Sequence, residues 1–273
     1  MRLLIIPTIF VVTLTQANAD HGLMLKKAGY KLPQTKEIVL NQEKSKMTFK
    51  NTQKFSKRDY ARLTNKFKYV QSWENDFKLP APNNNDSSQT EKEISELIGL
   101  KKQRTNSIIN DIQNERNIYG FRFGAIYGND IFFNYEKDPV RDFLLEYIPD
   151  LVTLTFKFKN KFNRVRPSFL SNQIKPIIPI PEHPAYPSAH SSKANFIAIV
   201  LSNFSPCLSE VFKTDGKRIA KNREIAGVHY SSDSKAGAVL ARQYYDYIMR
   251  SEKTRKELMI AKSFWKENYH ECP

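Results

Sequence analysis

Between residues 90 and 268 apolar positions recur three and four apart, the pattern of helices that bury one face. Ile94, Leu97, Ile98, Ile108, Ile109 and Ile112 make one such stripe. Thr90 stands before it where an N-cap belongs, and Glu93 three residues on completes a capping box, so a helix is predicted to start there. A second stripe follows Asp138-Pro139. Aspartate caps the helix, and proline at the first position has no N–H to lose. This helix runs through Leu144, Leu145 and Ile148, with a kink expected at Pro149. It ends by Arg166, because Pro167 disfavours helical backbone in the residue before it. Further helices are predicted at about 188–204, 206–224, 232–250 and 252–268. Period-two alternation is nearly absent, and no internal repeat is present. The pattern predicts an all-α fold, a single helical-bundle domain over residues 90–273.

The remainder of the chain reads differently. Arg2, the apolar stretch from Leu3 to Leu14, and Ala17-Asn18-Ala19 resemble a signal peptide over residues 1–19, cut after Ala19. A retained anchor is the alternative. Residues 20–78 are polar, Lys-rich and weakly periodic. Leu79-Pro80-Ala81-Pro82 and the Asn/Asp/Ser run behind it have the composition of a linker, so residues 20–89 are expected to form an N-terminal extension and linker. No later stretch suits a membrane span: Phe143 to Phe156 carries Glu146, Pro149 and Asp150, and Asn195 to Phe204 is too short. The expected product is exported, periplasmic or secreted, with no transmembrane segment after signal cleavage.

Lys and Arg number 43 against 28 Asp and Glu, a formal charge of +15. Such a surface draws anions of every kind and does not choose among them. Cys207 and Cys272 are the two cysteines. In an exported chain they are expected to pair; the alternative is a buried free Cys207 with an exposed Cys272. No C-x-x-C or Cys/His cluster is present from which a zinc site could be built.

Three short segments carry chemistry. Lys159 and Arg166 lie seven residues apart, near two helical turns, so both cations share a face. A guanidinium fork beside an ammonium suits a phosphoryl group. Ser188, in Tyr186-Pro187-Ser188-Ala189-His190, sits at the N-cap of an apolar helix whose first N–H groups point outward, an arrangement that binds anions. His190 in the first turn is placed to donate a proton to a leaving oxygen. In the third segment, after Asn222-Arg223 and Gly227, His229 and Asp233 are four residues apart. A carboxylate that accepts from one imidazole nitrogen leaves the other free to attack. His183 and Tyr186 lie just upstream, where each could line a pocket or serve the structure.

In order and spacing these segments read Lys, six residues, Arg-Pro; Pro-Ser-Ala-His; Arg, five residues, His, three residues, Asp. The set resembles the signature of the type 2 phosphatidic acid phosphatase superfamily, which includes bacterial class A non-specific acid phosphatases and vanadium haloperoxidases. Two positions depart from the pattern: Ala189 stands where the signature has glycine, and Asn222 where it has serine. The resemblance implies a helical bundle of that type and a metal-independent acid phosphatase acting on small-molecule phosphate monoesters, with no specific nucleic-acid partner. It assigns phosphate binding to Lys159, Arg166, Ser188, the N–H groups near Ala189, and Arg223. His229 would attack phosphorus, Asp233 would orient it, and His190 would protonate the leaving alcohol, most readily in acid. No cofactor is implied, and vanadate would bind as a phosphate mimic. The alternatives within the superfamily are a lipid phosphate or isoprenoid pyrophosphate phosphatase and a vanadium-dependent haloperoxidase.

Overall fold

At several helix starts a side-chain oxygen accepts a free first-turn N–H group: Ser56, Ser87, Thr105, Asp138, Ser188 and Ser251 serve in this way. The computed structural model describes residues 43–124, 126–127, 131 and 137–269. The predicted signal peptide and Cys272 lie outside them. Three short helices come first: α1 (Phe49–Thr52), α2 (Lys57–Thr64) and α3 (Trp73–Asp76). Then follow α4 (Ser88–Gly99), α5 (Asn106–Asn114), α6 (Pro139–Phe162), α7 (Pro167–Leu170), α8 (Ala189–Phe204), α9 (Ser209–Ile225), α10 (Ser231–Ile248) and α11 (Glu252–Asn268). The strands described are β1 (Arg122–Phe123) and β2 (Ile126–Tyr127), a small antiparallel ribbon. The fold is all-α, as the periodicity implies.

Several boundaries differ from the sequence reading for local reasons. Ser87, not Thr90, caps α4, its hydroxyl accepting the N–H of Thr90. Glu93 therefore makes no capping box; it is buried and bonds to Arg164 and the Ser232 N–H. The stripe from Ile94 to Ile112 is broken by a 3-10 turn at Leu100–Gln103, and Thr105 caps a separate helix. Asp138 caps α6 as expected, accepting from the N–H groups of Val140 and Arg141. That helix continues through Pro149 to Phe162 and stops at Asn163, whose φ of 53° is left-handed. Arg166 is extended, as its proline requires.

Helix α8 is the centre of the bundle. Phe196, Ile197, Ala198, Val200 and Leu201 are buried on several sides of it, and it packs against α6, α9, α10 and α11. Trp265 of α11 stacks on Tyr269, with Phe204 and Phe212 close by, closing the end away from the residue 188 cap. Residues 46–89 lie on this core. Phe49, Val70 and Phe77 are buried, and the carboxylate of Asp150 in α6 accepts from the N–H groups of Lys68, Tyr69 and Val70.

Gly237 decides how closely α10 approaches the start of α8. A Cβ there would lie 2.6 Å from the Ser188 carbonyl oxygen and 2.8 Å from the Ser191 Cβ. Backbone cannot yield that space without moving the α8 N-terminus. Gly237→Ala is therefore expected to lower stability by about 1–3 kcal/mol, measured by urea denaturation. Gly216→Ala, where the nearest atoms are 3.3 Å away, should cost less.

Candidate active site

The three signature segments converge at one end of the bundle. The α9–α10 turn carries Gly227, with φ of 80°, and delivers His229. His229 Nδ1 lies 3.0 Å from Asp233 Oδ2. A carboxylate only accepts, so Nδ1 carries the proton and Nε2 keeps its lone pair. That lone pair accepts from Arg166 Nη1 at 3.0 Å. Asp233 Oδ2 also takes the Tyr230 N–H, and Oδ1 takes Arg164 Nη1 at 2.7 Å.

Arg164 is the residue the sequence reading missed. It bridges Asp233 and Glu93, the latter at 2.9 Å, with all three side chains buried and its guanidinium 3.8 Å from the Tyr230 ring centroid. Glu93 in turn accepts from the Ser232 N–H and the Ser231 hydroxyl at the start of α10. Burial would lower the pKa of Arg164, but Asp233, Tyr230 and Glu93 outweigh it and the value is raised. Within the basic run 157–166 nothing in composition distinguishes Arg164 from its neighbours.

A cavity of about 900 Å³ opens onto this end. Ala189, His190, Arg223, His229 and His183 line it. Lys159, Arg166, Ser188 and Asp233 form a fully buried layer behind them. Lys159 donates to the carbonyls of Pro184 and Ala185, and Arg166 to those of His183 and Val228. Ser188 caps α8, its hydroxyl accepting from the Ser191 N–H. Arg223 donates to Ile112 O and to Glu115, while its Nε and Nη1 are buried without a partner among the described residues. Glu115, also unforeseen, ties Asn222 and Arg218 to Arg223, and its carbonyl accepts from His190 Nε2 at 3.1 Å. The asparagine that departs from the signature thus grips this carboxylate. Tyr186 is structural: it is buried, and its hydroxyl donates to Pro80 O.

The electrostatics favour an anion at the cavity floor. Burial lowers Arg166 and Arg223 to about 10, so both stay charged at neutral pH. Burial, with Arg166 next to it, pushes Lys159 well below its usual range. Burial, then Arg166, Lys159 and Arg223, push His229 well below 6.5. His190 keeps a partly open face to the cavity but is lowered too, by burial and then by Arg223 and Lys193. Among the described residues no group of three or more His, Cys, Asp or Glu side chains is placed to hold a metal cation.

No family model matches the chain, and no curated protein matches it. Among solved structures, a bacterial vanadium-dependent iodoperoxidase superposes with a TM-score of 0.51 at 16% identity, over 66% of this chain. The fold resembles that of a vanadium haloperoxidase. The match spans 54% of the iodoperoxidase chain, about half its length, and at this identity the likeness concerns the fold alone.

Three outcomes follow from the geometry. The His190 and His229 rings, followed by NMR, should titrate below pH 6.5 in the free protein, and inorganic phosphate should raise His190 by offsetting its cationic neighbours. With folded values depressed, the unfolded chain binds the extra protons, so stability should be full above about pH 6.5 and decline as pH falls through the folded values. Glu93→Gln breaks a buried pair and should cost about 3–5 kcal/mol in denaturant unfolding.

Proposed function

We propose that the chain is a phosphomonoester hydrolase that works through a phosphohistidine on His229. The observation that supports this most directly is the cavity floor. There a neutral imidazole whose unprotonated Nε2 meets Arg166 sits among buried cations, and the Nε and Nη1 of Arg223 lack an acceptor among the described residues. Buried positive charge without a counter-charge is costly, and a phosphate dianion supplies what is missing.

In this reading Arg223, the N–H groups at the start of α8, and the fields of Arg166 and Lys159 hold the phosphoryl group and stabilise charge on its equatorial oxygens. His229 Nε2 attacks phosphorus while the bond to the leaving oxygen breaks. Asp233, held by Arg164, stabilises the positive charge that develops on the ring. His190, protonated as the bound anion raises its pKa, gives its proton to the leaving alkoxide. Water then attacks the phosphohistidine, His190 takes a proton back, and inorganic phosphate leaves.

A second reading has a specific basis in the fold likeness to the iodoperoxidase. The same groups suit vanadate: the unpartnered Arg223 N–H groups, the lone pair of His229 and the surrounding cations fit a tetrahedral oxyanion. Bound vanadate would supply peroxide activation.

The test is hydrolysis of para-nitrophenyl phosphate from about pH 4 to 8 with EDTA present, and iodide oxidation by peroxide after vanadate loading. Phosphatase activity that survives EDTA, falls at least about a thousandfold in His229→Ala and leaves an acid-labile phosphoryl group on the wild-type protein is the expected result. Halide oxidation without phosphate release would establish the second reading instead.

A further inference from the structure

The cavity extends well past the residues that reaction needs. At about 900 Å³ it matches sites for whole small molecules, far more than one phosphoryl group. Its charge is graded. His229 and Arg223 at the floor are almost fully buried. Towards the mouth it is lined by Arg58 and Arg62 of α2, Arg116 just after α5, and Lys193 of α8. Arg58 and Arg62 are four residues apart, on one face of their helix. Two carboxylates share the lining, Asp59 and Glu182. Asp59 is already engaged, 2.8 Å from Arg62 and bonded to the Ser56 hydroxyl. Arg58 is 79% exposed at its side chain and reaches Asp59 only at 3.9 Å. Arg116 is exposed, and Lys193 meets the Phe121 ring but no carboxylate among the described residues.

We infer that this outer half of the cavity is a second anion subsite, built for a phosphomonoester whose alcohol carries another phosphate group. The proposal rests on the reading of the floor as a phosphoester site. Three separate elements bring cations to one wall, and self-repulsion opposes that arrangement unless a ligand offsets it. Lys193 feels both burial and its cationic neighbours. Burial, then Arg62, Arg223 and Arg58, lower it to about 8, although part of the residue still faces the cavity. Asp59 offsets Arg62, but a single phosphate at the floor leaves Arg116 and Lys193 without a carboxylate among the described residues and Arg58 only loosely paired; a second phosphate on the leaving group reaches them. Arg58, Arg62 and Arg116 offer the bidentate geometry that phosphate oxygens accept.

Non-hydrolysable ligands test this by calorimetry on the intact chain at low salt: propylphosphonate against propane-1,3-bisphosphonate. The bisphosphonate should bind at least about tenfold more tightly, the gain expected of an added charge-assisted contact. In the triple variant Arg58→Gln, Arg116→Gln, Lys193→Gln that ratio should fall to within about twofold of one, with propylphosphonate affinity little changed. The double variant Arg58→Gln, Arg116→Gln, at two exposed positions, should cut the ratio in part and keeps the test decisive if the triple variant does not fold. Equal affinities in the wild type, or a ratio that survives the variants, overturn the subsite. Failure of both ligands to bind overturns the phosphoester reading together with it, whereas binding of both with equal affinity overturns the subsite alone.

Discussion

The buried bridge from Glu93 through Arg164 to Asp233 holds the candidate site in register. Removing three charges from water is unfavourable unless each finds partners of good geometry. Here each does: Glu93 takes Arg164 and the α10 N-terminus, and Asp233 takes Arg164, His229 and the Tyr230 N–H. Three parts of the chain far apart in sequence are thereby joined through side chains: α4, the segment after α6, and the start of α10. The tautomer of His229 follows from this bridge, since a carboxylate fixed in place can only accept.

Around that bridge the charge balance is deliberately uneven. Arg164 is matched by two carboxylates; Lys159 and Arg166 lean on backbone carbonyls of residues 183–185 and Val228, and Arg223 shares Glu115 with Arg218. The result is a floor of hydrogen-bonded cations whose full charge is not cancelled. Burial and these cations push His190 and His229 well below the usual histidine range, and a neighbouring anion would oppose that shift.

Close packing keeps these groups at working distance. The α8 N-terminus meets α10 at a glycine, and the α9–α10 turn uses a glycine with positive φ, so Ser188 and His229 reach the same end of the bundle. The N-terminal segment adds to the site rather than merely preceding it. Asp150 anchors residues 68–70, and α2 brings Arg58 and Arg62 to the cavity mouth.

Helix type and most helix limits were legible in the chain, because Asp138-Pro139, Arg166-Pro167 and the apolar stripes are local signals that act within a turn or two. The signature residues were legible as a set, but Lys159 and Arg166 do not share a helical face as their spacing predicts, because α6 stops at Phe162 and Arg166 is extended, and His229 meets Asp233 across the start of α10. Glu93, Arg164 and Glu115 were not legible. Their partners lie between about 70 and 140 residues away, and nothing in a carboxylate's immediate neighbours says whether it will cap a helix or be buried against an arginine. Thr90-x-x-Glu93 is the clearest case, a capping box by sequence whose glutamate packing turned towards Arg164 instead. The sequence by itself determined the helices and which residues could do chemistry. Only the tertiary structure decided which charges would share a buried space, because burial and charge pairing exist only once distant segments have met.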